Sequence, residues 1–143
     1  MLTCSKTYRD IPLGHRQPFH KGHCSRIHGH NWSIKLTFAS KGLDENGFVV
    51  DFGKLRYLKE WIDENLDHAC AISSCDPHLE RMKKWEGEGL IRLLIVESAS
   101  CEGLAIHIFD VFDKLVRSNT GERAWITSIE LEEDSKNSAF YAP

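Results

Sequence analysis

The chain has no apolar run approaching the ~20 residues that a bilayer-spanning helix needs, so a membrane partner is not expected. Its opening stretch, MLTCSKTYRD, has no apolar core and no small-residue cleavage pattern. That predicts no export and a cytoplasmic location. The five cysteines (Cys4, Cys24, Cys70, Cys75 and Cys101) are an odd set without a C-x-x-C pair. They read as reduced thiols rather than as a disulfide framework. Repeats and linker-like stretches are also missing, so the 143 residues are expected to form one domain, residues 1–143. A net charge of −3 argues against a general nucleic-acid binder. One local absence is more informative. From Ile11 to Leu43 there is no Asp or Glu, yet Arg16, Lys21, Arg26, Lys35 and Lys41 lie there. An acid-free basic stretch raises the local concentration of a small anion.

What is present divides into short periodic segments. NWSIKLTFAS alternates, with Trp32, Ile34, Leu36 and Phe38 on one face, as a half-buried strand does. LDENG reads as a turn and FVVDF as a second strand, which predicts a hairpin. Leu55, Leu58, Ile62 and Leu66 follow helical spacing. A short helix is expected over Leu79 to Trp85, and LIRLLIVE reads as a buried strand. Ser100 can cap a helix reaching about Arg117 with Leu104, Ile108, Val111 and Leu115 inward. AWITSIELE alternates as a last strand, and an N-terminal strand precedes all of these. The order predicts an α+β fold, with helices on one face of a mostly antiparallel sheet.

The chemistry concentrates in HCSRIHGHNW, residues 23 to 32. Five of the eight histidines lie between positions 15 and 30. His28 and His30 directly precede a strand, and residues i and i+2 of a strand point to one side, roughly 7 Å apart. Two imidazoles so placed can share an ion, with Gly29 between them allowing close backbone approach. A catalytic zinc takes three protein ligands and keeps one position for water or substrate. His15, His20 and His23 are candidates for the third ligand, and Cys24 could instead close a structural site. Spacing does not choose among them. Cys4, Cys70, Cys75 and Cys101 read as buried structural thiols.

The run Cys24-Ser25-Arg26-Ile27-His28-Gly29-His30-Asn31-Trp32 resembles the C-x-x-x-H-G-H-[NS]-aromatic motif of the carboxy-forming branch of the 6-pyruvoyl-tetrahydropterin synthase family. Further likenesses follow in order. GFVVDFGKL resembles that family's strand end, and LDH its Asp-His pair. SCEGLA resembles its T-x-E-N-L-A helix start, and EDSKNSAFY its terminal E-T-x-x-x-x-A-x-Y. The departures are Leu13-Gly14-His15 for Ala-Ala-His, Pro12 within the first strand, Ser73 for an Asn, Ala99-Ser100 for Pro-Thr, and Gly103 for an Asn.

The resemblance implies the tunnelling fold: a four- to five-stranded, mostly antiparallel sheet with two helices on one face. Several subunits, as a tetramer or hexamer, would close it into a barrel with sites shared between chains. Few charges protect strand residues 32 to 38 and 125 to 131, which fits open edges that pair with another chain. The implied cofactor is Zn2+, held by His15, His28 and His30. Cys24 would be the proton-transfer thiol and Asp67-His68 the second proton-transfer unit. Glu133 would accept paired N–H donors from the pterin edge. Glu102 is a further candidate for substrate contact, although an acid in a helix's first turn is also stabilised by the dipole. Lys21 and Arg26 are candidates for phosphate contact. The implied reaction converts 7,8-dihydroneopterin triphosphate to 6-carboxy-5,6,7,8-tetrahydropterin, acetaldehyde and triphosphate, in the biosynthesis of queuosine and other 7-deazapurines. One alternative is the pyruvoyl-forming reaction, although three residues between the cysteine and H-G-H favour the carboxy-forming branch. Another is a non-catalytic zinc protein whose site Cys24 closes.

Overall fold

The computed structural model describes residues 1–143. Six strands form one sheet in the order β4-β3-β1-β2-β5-β6. In chain order they are β1 (Cys4–His15), β2 (His28–Ser40), β3 (Ala69–Ser73), β4 (Leu93–Val96), β5 (Ala124–Glu132) and β6 (Ser138–Tyr141). Three helices accompany them: α1 (Arg56–Asn65), α2 (Leu79–Gly87) and α3 (Cys101–Asn119). No helix is long and apolar enough to cross a membrane.

The sheet has six strands, not four or five, and is mixed, with three antiparallel and two parallel pairings. β1, β2, β5 and β6 pair antiparallel, whereas β3 and β4 join β1 in parallel. The sequence hid β3 because it carries no alternation: all five residues of ACAIS are buried. Burial on both faces erases period-2 patterning. Ala69 and Ala71 face the main core, while Cys70 and Ile72 pack with Met82 of α2 on the opposite face. Thus α1 and α3 cover one face as expected, and α2 covers the other at the parallel edge.

The main core lies between the sheet and α1 and α3. Trp32, Ile34, Leu36 and Phe38 of β2 meet Leu58 and Ile62 of α1 and Leu104, Ile108 and Phe112 of α3. α3 starts where expected, because Ser100 accepts the Gly103 N–H at 3.0 Å.

The predicted hairpin partner of β2 does not form. Both of its edges are taken, Phe38 pairing with Cys4 on one side and Ile126 on the other. FVVDF instead runs irregularly, burying Val49 and Val50, into a 3-10 turn over Phe52–Lys54. β2 and β5 are therefore interior strands, and the open edges are β4 and β6. Pro12 sits within β1, one residue before pairing with β3 begins at Leu13, where its missing N–H costs no bond to that strand. A bulge between Tyr8 and Ile11 places Asp10 at φ 57° and restores the inward facing of Ile11 and Leu13. That register delivers His15 to the end of the strand.

Candidate metal centre and active-site cleft

The antiparallel pair β1–β2 builds the centre. His15 ends β1 and lies directly opposite His28, the first residue of β2, while Leu13 lies opposite His30. One ligand nitrogen from each of His15, His28 and His30 lies within 4.8 Å of the other two. Neither His20, His23 nor Cys24 belongs to the group. Of the third-ligand candidates, the register brings His15 to the His28–His30 pair, and Cys24 lies outside that group.

Hydrogen bonds at the far nitrogens orient the rings. His15 Nδ1–H donates to the Ala99 carbonyl at 2.7 Å, and His28 Nδ1–H donates to the Arg26 carbonyl at 2.7 Å. Carbonyls only accept, so each ring keeps its lone pair on Nε2, the tautomer a metal ligand needs. Trp32 supports both outer rings edge-on, with centroids 5.0 Å from His15 and 5.6 Å from His30. Its indole N–H donates to the Leu13 carbonyl at 2.9 Å. Burial pulls the His15 pKa below the ordinary imidazole value, although the Ala99 bond and Glu133 oppose it. His15 is only 1% exposed, so the neutral ring is favoured.

Glu133 lies against the group. Its Oε1 is 3.1 Å from His15 Nε2 and 3.4 Å from His30 Nε2. Both nitrogens are nevertheless buried without a hydrogen-bond partner. For His15 the reason is plain: its proton is on Nδ1, so a lone pair faces a carboxylate oxygen. Such an arrangement calls for a cation between them. The three imidazoles suit a divalent metal, since three nitrogen ligands leave further positions open for water or substrate, with the Glu133 carboxylate at the margin of the site.

A cleft of about 520 Å³ adjoins Glu133 and is lined also by Cys24, Glu102, Gln17, His20 and Lys136. Three of the predicted site residues, Cys24, Glu102 and Glu133, therefore share it. Cys24 lies in a 3-10 turn over His23–Ser25, and its carbonyl accepts the Gln17 N–H at 2.9 Å. Cys101 also lines this cleft, where burial and the nearby Glu133 and Glu102 carboxylates push its thiol pKa up to about 12. It is a half-buried cleft residue rather than a core thiol, and Cys75 is exposed; only Cys70 is buried.

Asp67 and His68 lie elsewhere. They follow α1, with His68 at φ 59°, its N–H bound to the Pro12 carbonyl at 2.8 Å and its Nδ1 paired with Asp67. His68 lines a second cleft of about 430 Å³ together with His30 and Asn31, and Cys24 is not part of that cleft. Lys21 and Arg26 are exposed and line neither cleft.

Sequence reasoning missed Lys136, Gln17 and the Ala99 carbonyl. Lys136 could have been suspected from its place in EDSKN, three residues after Glu133. Gln17 carried no periodic or motif signal.

Comparison with known proteins identifies the family. Residues 3–143 match the family model described as 6-pyruvoyl tetrahydropterin synthase. The chain belongs to that family. It is thus an enzyme of the tetrahydropterin synthase type. A Rickettsia bellii protein named 6-carboxy-5,6,7,8-tetrahydropterin synthase is 32% identical over 136 residues, covering 93% of this chain and 94% of its own. The Rickettsia typhi protein of the same name is 30% identical with the same coverage. The fold is shared with an uncharacterised Wolinella succinogenes protein at TM-score 0.80 and 20% identity, covering 99% of this chain and 97% of that one. It is also shared with Caenorhabditis elegans 6-pyruvoyl tetrahydropterin synthase, at TM-score 0.65 and 21% identity over 99% and 95% of the chains.

Proposed function

We propose that the chain is a zinc-dependent lyase of 7,8-dihydroneopterin triphosphate. Its products would be 6-carboxy-5,6,7,8-tetrahydropterin, acetaldehyde and triphosphate, on the cytoplasmic route to queuosine and other 7-deazapurines. The observation that carries the reading is the histidine group beside a cleft holding Cys24 and Glu133. The Rickettsia relatives with the carboxy-forming name align over nearly all of the chain and support that branch. So does the three-residue gap Ser25-Arg26-Ile27 between Cys24 and His28.

His15, His28 and His30 would hold the zinc, which when bound supplies Lewis acidity to side-chain oxygens and so acidifies the neighbouring C–H. The Ala99 and Arg26 carbonyls keep two of these imidazoles in the ligating tautomer. Cys24 takes or returns a proton at Sγ. Asp67 orients the His68 ring through its Nδ1, and His68 serves the second proton transfer. Glu133 accepts the paired N–H donors of the pterin edge, with Glu102 as a further acceptor on the cleft wall. The polyanionic tail must avoid both carboxylates. Lys136 is the cleft's cationic side chain and takes that tail, while Lys21 and Arg26 draw it in from outside. The assembly is read as a homo-oligomer, a tetramer or hexamer with sites at subunit interfaces.

The test is incubation of the metal-loaded protein with 7,8-dihydroneopterin triphosphate and identification of products. Acetaldehyde with the 6-carboxy pterin supports the reading. A 6-pyruvoyl product moves the chain to the other branch, and no turnover with metal bound sinks the lyase assignment.

A further inference from the structure

Gln17 lies two residues beyond the end of β1 and touches both halves of the site. Its Nε2 donates to the Ala99 carbonyl at 3.2 Å, the same oxygen that accepts His15 Nδ1–H. A carbonyl oxygen has two lone pairs, and here both are used within the site. Ala99 is a rigid anchor: it is fully buried, and its own N–H donates to Ser73 Oγ at 3.0 Å. From the backbone of Gln17, the N–H donates to the Cys24 carbonyl at 2.9 Å and the carbonyl accepts the His20 N–H at 3.2 Å. Residues 17 to 24 are thereby closed into a loop whose foot rests on Ala99.

The loop needs such a fastening. The 3-10 turn that carries Cys24 buries no residue, and its N-cap Gly22 supplies no side-chain bond. Apolar packing does not hold the thiol in place. Hydrogen bonds do, and the Gln17 side chain is what connects them to the carbonyl that orients His15.

We propose that Gln17 is a positioning residue that ties Cys24 to the Ala99 carbonyl and so fixes the thiol relative to the histidine centre. Its catalytic consequence rests on the lyase reading; the tether does not. Gln17→Glu keeps the shape but turns an acceptor toward the carbonyl, and Gln17→Leu removes the polar end.

Both variants are to be compared with the full-length, zinc-loaded protein. The readouts are iodoacetamide modification at the Cys24 and Cys70 peptides, bound zinc, and kcat and KM. We expect faster modification at Cys24 with Cys70 unchanged, zinc retained, and kcat lowered roughly 10-fold or more with little change in KM. Unchanged Cys24 modification in both variants overturns the tether. So does parallel acceleration at Cys70, which would mark general loosening. If the parent shows no turnover, the lyase reading fails while the modification arm still decides the role of Gln17.

Discussion

His15 and Glu133 face each other with Nε2 and Oε1 3.1 Å apart, and no proton of the neutral ring lies between them, because that proton is on Nδ1, where it donates to the Ala99 carbonyl. A strand end near the N-terminus and a loop near the C-terminus thus meet as two lone pairs. That pairing is unfavourable unless a cation occupies the space, and it accounts for the buried, unpartnered Nε2 of His15.

The first expected outcome is metal retention by the histidine rings. The purified protein should bind about one zinc per chain through three imidazoles. His15→Ala, His28→Ala and His30→Ala should each weaken zinc affinity by roughly 10²-fold or more, beyond the usual loss when only a ligand's hydrogen-bond partner is removed. Affinity should also fall as pH drops through the histidine range, because protons compete for the ring nitrogens. Full zinc in His15→Ala, with loss in His20→Ala or His23→Ala, would overturn the assignment.

Cys24 is separable from metal binding, since it is outside the ligand group. Cys24→Ala should keep zinc while turnover falls by ~10²-fold or more. A variant that lost its zinc would point to a thiolate ligand instead.

The site was legible where local pattern and chemistry coincide. The alternation from Trp32 to Phe38 fixed the phase of β2, and that phase puts His28 and His30 on one side. What could not be read depended on partners distant in sequence. Choosing His15 needed the β1–β2 register, and that register depends on a bulge at a polar pair, Arg9-Asp10, with no distinctive signal. Lys21 and Arg26 were chosen for proximity to the histidines, whereas Lys136 reaches the cleft because the chain returns after β5. β3 escaped notice for want of alternation, and FVVDF misled because its apolar residues are buried without strand pairing.

Gly103 stands where the family resemblance leads one to expect Asn, and packing explains it. A Cβ there would lie 2.3 Å from the Ser98 carbonyl oxygen and 2.6 Å from Ser98 Cβ. Gly103→Ala should destabilise the fold by about 1–3 kcal/mol, since backbone must shift. It should also weaken zinc binding, because the strained turn carries Ala99. A denaturant midpoint equal to that of the parent would show that the turn yields freely.

His107 on α3 packs near Trp61, with ring centroids 6.3 Å apart. Burial lowers its pKa, with Asp110 opposing. A depressed folded-state value means that the unfolded chain binds the proton more readily. The stabilising contribution is therefore complete above the ordinary value of 6.5 and is lost as pH falls through the lower folded one. In metal-free protein, His107→Gln should lose less stability than the parent between pH 8 and pH 5 on thermal melting. Equal losses would assign the acid sensitivity to other groups.

The last prediction concerns how a complete site is assembled. Within one chain Cys24 lines the cleft beside Glu133, whereas His68 lines a different one and its side chain is 84% exposed. An exposed imidazole oriented by its own aspartate is poorly placed to act on substrate held beside Cys24. It is well placed to reach a neighbour. The strands that end the sheet, β4 and β6, have open edges, and Ile95 and Phe140 on them are 42% and 69% exposed. Such edges favour pairing with further copies of the chain. We therefore expect Cys24 of one chain and His68 of another to serve a single site. Cys24→Ala and His68→Ala should each be nearly inactive alone. When mixed under conditions that exchange subunits, they should recover partial activity, because some interfaces then carry both intact groups. Exchange verified by mass, with no activity regained, would mean that each chain builds its site unaided and that His68 reaches Cys24 by a movement within the chain.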